Sequence, residues 1–512
     1  MVKVSESRTK NVTRNVIYAV ILKFYQTAIP FLVRTIFIYK LGAEYLGLNS
    51  LFTSILGVLS MAELGFGTAL AFSLYKPIAE KDVETVCAIM NFYKICYRVI
   101  GIVILVMGLI LTPFVPRFIK SDLPEDVNVY VLYFIQLGST VCTYFLFAYK
   151  NCLLNAHQRN DISSKIGLII STLRFGMQII ILLTVCNYYV YTLIVPFLSI
   201  AENIVNAIIV TKMFPQYQSR GRLNQTILQS IISKVKALFV VKIGGIVLNS
   251  VDNIVISMFL GLSILGKYNN YYFIVNSVLS VVGLVTGSMM ATLGNSLVTE
   301  SKEKNYRDFK GLSFWNLWLV GWCSICIVCL CQHFVKIWIG SDYMLSFGMV
   351  ILMSIYFYVL QSNQVTGAYK DAAGIWEQDQ YRPLFTALLN LVVNLILVQF
   401  IGLYGIVLST VISLLFVNTP WLVHNVCDLV FGKSMKEYFS IWGVASIITI
   451  INGAICFQVC KMVDNEGIVG LVIKMIICIA LPNLIYYLLY FKTKIFKQNL
   501  WVVKKMAKLI RH

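Results

Sequence analysis

Charge is scarce in this 512-residue chain: 13% of its residues are Asp, Glu, Lys or Arg, against ~25% in ordinary soluble domains. With 58% hydrophobic residues it carries more apolar surface than a soluble fold could hide, which excludes a soluble cytoplasmic enzyme. Acid is scarcer than base, 23 residues against 42. Only 10 prolines and no long Ser/Gly tract leave little material for linkers or disordered tails. The start, MVKVSESRTKNVTRN, lacks the short apolar core and small-residue cleavage site of a secretory signal, so the first helix is read as retained. His157, His333, His424 and His512 are scattered and make no metalloprotease spacing. Gly432-Lys433-Ser434 ends like a phosphate-binding loop, but Cys427 stands at the required leading glycine, so no ATPase module is expected.

What the chain has is apolar runs long enough to span a bilayer as helices, each needing about 20 residues. Fourteen are read: 15 to 39, 46 to 75, 84 to 112, 127 to 149, 162 to 186, 188 to 213, 236 to 260, 268 to 299, 309 to 334, 344 to 369, 383 to 402, 404 to 427, 438 to 460 and 467 to 491. An all-α integral membrane fold follows. With the N-terminus in the cytoplasm, Lys and Arg gather in the alternate, cytoplasmic links, and both termini lie inside. The densest clusters are Lys212, Arg220, Arg222, Lys234 and Lys236 centrally, and the tail from Lys492 to Arg511. Beside a last span such a tail contacts anionic lipid headgroups rather than nucleic acid.

The chain repeats itself at an offset of about 219 residues. Leu41-Gly42 and Leu46-Gly47, followed by Asn49, recur as Leu260-Gly261 and Leu265-Gly266, followed by Asn269. Lys23 falls on Lys242. Ala148-Tyr149-Lys150-Asn151 with Gln158 recurs as Ala368-Tyr369-Lys370-Asp371 with Gln378. Two pseudo-symmetric six-helix bundles are implied, 1–215 and 216–430, with 431–512 holding two further spans and the basic tail. Six is even, so the halves enter the membrane in the same orientation, and rocking one against the other would expose their interface to alternate sides.

Seven basic residues lie inside these spans, away from their ends: Lys23, Arg34, Lys94, Arg98, Arg174, Lys242 and Lys474, against Glu63, Glu202 and Asp252. Each base at a helix centre costs ~2.5 to 3.5 kcal/mol, so seven represent on the order of 20 kcal/mol before pairing or snorkelling. Three acids leave about four bases over, which need water, headgroups or an anionic ligand, and a hydrated central cavity is the cheapest common solution. Lys23, Pro30 and Arg34 share one helix face, as do Lys242, Asn249 and Asn253, with Asp252 on the adjoining edge. Ser164, Gly167, Ser171, Arg174 and Gln178 draw another polar line. Lys23, Arg34, Arg174 and Lys242, with Arg98 as a secondary member, are the candidate substrate-binding residues; the bland alternative is pairing between helices. Lys474 is within snorkelling reach of the outer interface. Glu63, in Met61-Ala62-Glu63-Leu64-Gly65-Phe66-Gly67, and Asp252 are candidates for charge balance or coupling.

Cys323, Cys326, Cys329 and Cys331 form a cluster-like spacing, but within the apolar string WCSICIVCLC they read as small apolar residues, so no metal and no cofactor is expected.

The stretch Lys40-Leu41-Gly42-Ala43-Glu44-Tyr45-Leu46-Gly47-Leu48-Asn49 running into Glu63-Leu64-Gly65-Phe66-Gly67, and that from Val251-Asp252-Asn253 to Phe259-Leu260-Gly261, resemble the polysaccharide transporter family of the multidrug/oligosaccharidyl-lipid/polysaccharide superfamily. They are most like the bacterial O-antigen and capsule repeat-unit flippases. The resemblance covers nearly the whole chain through its fourteen-span plan. It implies movement of an undecaprenyl-diphosphate-linked oligosaccharide across the bacterial cytoplasmic membrane, a cationic central cavity, and polymerase and glycosyltransferase partners. It carries over no residue-exact substrate motif. A multidrug or cation antiporter of the same superfamily would need an acidic or aromatic cavity, against the basic excess here. A peptidoglycan-precursor flippase would also be cationic inside and stays open. A membrane glycan polymerase would need catalytic groups on a sizeable outer loop, whereas the longest outer link, Pro113 to Asp126, reads as solvated surface.

Overall fold

The computed structural model describes residues 2–63, 66–120, 123–157, 159–287, 290–493 and 496–497. It is 87% helical, with no strand among the described residues. Two compact units divide the chain, Met1–Gly266 and Lys267–His512. The first holds α1 (Val2–Leu41), α2 (Ala43–Leu59), α3 (Phe66–Ala79), α4 (Val83–Leu111), α5 (Val129–Phe145), α6 (Asn151–Ala156), α7 (Asn160–Thr184), α8 (Tyr188–Met213), α9 (Gln225–Leu260) and the start of α10 (Leu262–Gly287). The second continues through α11 (Met290–Thr299), α12 (Lys302–Ile339), α13 (Phe347–Ser362), α14 (Gln364–Ala373), α15 (Trp376–Asp379), α16 (Arg382–Ile401), α17 (Leu403–Ser413), α18 (Thr419–Asn425), α19 (Lys436–Lys461) and α20 (Ile468–Tyr490).

This is a multi-pass membrane protein. Nine helical stretches among the described residues are long and apolar enough to cross a bilayer, ten if the pair Val129–Phe145 and Ala148–Ala156, bent by 47°, counts as one. The fourteen expected spans therefore do not map one for one onto membrane-length helices. Breaks between helices account for part of the difference. The span expected at 46 to 75 is divided by a turn at Ser60–Glu63, and the span at 344 to 369 changes helix at Asn363. That at 268 to 299 is shared between α10 and α11, and that at 15 to 39 lies within the long, charged α1. The repeat member Gln158, the pair Leu64-Gly65 and the basic tail from residue 498 lie outside the described residues.

The repeat is visible in the backbone. α1 stops where Gly42 takes φ 98° and ψ −180°; α9 stops where Gly261 takes φ 93° and ψ 171°. Both are conformations that favour glycine, and both let a new helix begin one residue later. The same repeat brings two glycines against main chain. A methyl built on Gly47 would sit 2.1 Å from the carbonyl oxygen of Leu262, and one on Gly266 would sit 2.1 Å from that of Ala43. The four positions exchange under the offset, so the starts of α2 and α10 cross reciprocally, at backbone contact.

Ionic locks also recur with their signs exchanged. In the first unit Arg159 Nε donates to Asp161 Oδ1 at 3.0 Å, the aspartate being buried at the start of α7. In the second, Arg382 at the start of α16 donates from Nε and Nη2 to the two carboxylate oxygens of Asp379, each at 2.7 Å. Lys370, from the repeated Ala-Tyr-Lys segment, lies 3.6 Å from the same carboxylate. Within the second unit α12 is the central post against which α13, α19 and α20 pack. Trp322 Nε1 donates to the Cys478 carbonyl at 2.8 Å, Trp318 Nε1 to Asn483 at 2.9 Å, and Asn452 to the Pro482 carbonyl at 3.0 Å.

Candidate functional site

α1 and α7 pack along one another because each offers a polar line flanked by apolar residues. Gln26 Nε2 donates to Ser171 Oγ at 3.2 Å, and the Tyr25 and Phe175 rings meet at 5.9 Å. One turn before Gln26 stands Lys23, exposed; one turn after Ser171 stands Arg174, half-buried. Two of the expected basic residues thus flank a single interhelical hydrogen bond. Arg174 Nε is buried with no hydrogen-bond partner. Its electrostatic counterpart is Glu202 of α8, whose Oε1 would lie 3.8 Å from a methyl built on Gly167.

The other expected residues are dispersed. Arg34 lies about 16 Å further along the α1 axis than Lys23, beside Tyr191 of α8. Arg98 is exposed on α4, away from the Gln26–Ser171 contact, and Lys94, a turn before it, lies within electrostatic reach of Lys150. The side chain of Lys242 lies outside the described residues. Asp252 is half-buried on α9, where its neighbour Asn253 donates to Ser54 Oγ of α2 at 2.9 Å.

Glu63 occupies a setting that charge counting missed. Tyr97 Oη donates to Oε1 at 2.6 Å, Tyr144 Oη donates to Oε2 at 2.7 Å, and Tyr93 Oη donates to Tyr97 Oη at 3.0 Å. The rings stack edge-on, Tyr93 to Tyr97 at 4.6 Å and Tyr97 to Tyr144 at 5.4 Å. Gly67 opposite leaves the space they fill, since a methyl there would stand 3.1 Å from Tyr93 Oη. The signal was present in Asn91-Phe92-Tyr93-Lys94-Ile95-Cys96-Tyr97-Arg98: the tyrosines, like the bases, are four apart on α4, one position earlier. The second unit contains an apolar cavity of about 520 Å³ lined by Val328, Ile355, Tyr358, Leu415, Trp442 and Phe457, among others.

A family model described as polysaccharide biosynthesis protein matches residues 12–292. An uncharacterized membrane protein of Methanocaldococcus jannaschii is 20% identical over 510 residues, covering 95% of this chain and 96% of its own. Among solved structures, the lipid II flippase MurJ in an inward closed conformation aligns with a TM-score of 0.63 at 14% identity, over 93% of this chain and 99% of its own. A multidrug resistance MATE family transporter of the MOP superfamily, inward-facing, aligns with a TM-score of 0.59 at 13% identity, over 87% and 99%. The fold is that of these transporters.

Proposed function

We propose that this chain, which belongs to the polysaccharide biosynthesis protein family, is a flippase for an undecaprenyl-diphosphate-linked oligosaccharide, moving it across the cytoplasmic membrane toward surface-polysaccharide assembly. The observation that carries the reading is Arg174 on the α1–α7 seam, its buried Nε without a hydrogen-bond partner, with the exposed Lys23 on the other side of the Gln26–Ser171 hydrogen bond. A diphosphate cannot enter hydrocarbon with its charge unscreened, and arginine and lysine donors answer it with charge-assisted hydrogen bonds. Glu202 holds Arg174 in place electrostatically without taking up its donors as a close ion pair would. Arg34, Lys242 and Arg98 complete the binding set in this reading, while Asp252 and Glu63 set charge balance or coupling. The apolar cavity of the second unit suits a lipid chain segment.

The reading keeps two six-span halves, 1–215 and 216–430, with 431–512 added, both termini cytoplasmic, and glycosyltransferases and a polymerase as functional partners. A cation antiporter suits these sites less well, because the open donors are positive. The test is transfer of a lipid-diphosphate oligosaccharide in vesicles reconstituted with purified protein. Lys23→Gln with Arg174→Gln should abolish transfer in a protein that still folds, and unchanged transfer would reject the assignment. Transfer of a peptidoglycan precursor in preference to an oligosaccharide unit would move the substrate to that neighbouring class.

A further inference from the structure

Thirteen cysteines are spread through the chain, and four of them converge. Cys329 comes from α12, Cys456 and Cys460 from successive turns of α19, and Cys478 from α20; all four are buried, and their Sγ atoms lie within 4.8 Å of one another. Cys478 Sγ stands 3.9 Å from Cys456 Sγ and 3.8 Å from Cys460 Sγ. A cation with four sulfurs at about 2.3 Å in a tetrahedron requires sulfur-to-sulfur edges of about 3.8 Å. Contact between two packed thiols allows a similar spacing, so a pair would mean little. Packing alone, however, does not call for four thiols from three helices around one point.

We propose that Cys329, Cys456, Cys460 and Cys478 form a tetrathiolate site for one zinc ion that fastens α19 and α20 to α12. The ligand type and geometry select a thiophilic cation such as zinc over magnesium or calcium, and the spacing is too tight for an iron–sulfur cluster. Binding exchanges four S–H protons for four Zn–S bonds, leaving the site with a charge of −2. Lys474 meets part of that charge. It lies one turn before Cys478 on the same face of α20 and within electrostatic reach of Cys460. The surroundings suit a closed, structural site: Phe314, Ile325, Tyr486 and Tyr490 wall it in, and the Trp322 hydrogen bond to the Cys478 carbonyl fixes α20 against α12. Of the cysteines in WCSICIVCLC, which the sequence reads as small apolar residues, only Cys329 belongs to the cluster.

The test uses the full-length protein purified in detergent under reducing conditions without chelator. Elemental analysis should find close to one zinc per chain, falling at least about tenfold in Cys460→Ser and in Cys329→Ser, and unchanged in Cys323→Ser. Lys474→Met should weaken zinc binding by roughly 10-fold. Because a ligand variant can fail to fold, the parent protein is also loaded with cobalt, which should show the visible bands of tetrahedral Co²⁺ and an intense thiolate-to-cobalt charge-transfer band. A folded parent protein that takes up neither metal, or that pairs these cysteines as disulfides, overturns the site. So does a folded Cys460→Ser protein with undiminished zinc.

Discussion

A single methyl at Gly47 tests the crossing of α2 and α10 most sharply. The added carbon of Gly47→Ala would stand 2.1 Å from the Leu262 carbonyl oxygen and 2.9 Å from its carbon, both main-chain atoms with no rotamer to escape into. Carbon–oxygen contact needs about 3.3 Å, so the segments must part by about 1 Å, and overpacking on that scale costs about 1 to 3 kcal/mol. Gly266→Ala meets Ala43 in the mirror arrangement, again at 2.1 Å. The separation that relieves one clash relieves the other, so the double variant should cost less than the two single variants added together, by about 1 kcal/mol. Gly138→Ala in α5 is the control: no atom lies within 4 Å of its added carbon, and the helix should gain up to about 1 kcal/mol. Thermal unfolding in detergent, followed by tryptophan fluorescence, should place the Gly47→Ala midpoint roughly 2 to 12 °C below the parent at about 2 to 4 °C per kcal/mol. A parent-like midpoint for both single variants, or a double variant equal to their sum, would refute the reciprocal backbone contact.

Asp379→Asn strips the carboxylate from a site where Arg382 and Lys370 are each only 12% exposed. Lys370 keeps Asp371 at 2.8 Å, but leaving the Arg382 charge against an amide should cost about 3 kcal/mol, read as a lower unfolding midpoint, and a midpoint equal to the parent's would contradict the lock. At the end of α12 the Lys336 ammonium donates to Glu466, in the link between α19 and α20, and with its charge holds that carboxyl below its ordinary value of 4.5. A depressed carboxyl stabilises the fold above its unfolded value and loses that contribution as the pH falls through the folded one. The midpoint gap between the parent and Lys336→Met should therefore be full at pH 7 and close below about pH 4, whereas a gap independent of pH would sink the pairing.

How much of this was legible follows from what a linear pattern can carry. The helical membrane fold came from the apolar runs, and the matched Leu-Gly pairs foretold the matched backbone breaks at Gly42 and Gly261, because glycine at a positive φ leaves its mark in one residue. Helix faces brought Lys23 and Arg174 into view as candidates, whereas the Gln26–Ser171 hydrogen bond between their helices was not read from the sequence. The breaks inside expected spans were not legible, because the turn at Ser60–Glu63 interrupts an apolar run that contains no proline. Nor were the companions of Glu63 and Cys329, which come from helices distant in sequence and are brought together only by packing. Periodicity orders residues along one helix and says little about which other helix it meets.

The setting of Glu63 has a consequence for how that carboxyl can behave. A carboxylate clasped by arginine gives up a close cation if it is ever neutralised. A phenol differs in kind: a hydroxyl that donates to an anion can also swivel and accept from an acid. With Tyr93 backing Tyr97, the reorientation passes along a short chain of rotors and displaces no ring. The carboxyl is thereby held by rotatable hydroxyls set in an aromatic wall, on three hydrogen bonds and, among the described residues, no close cation.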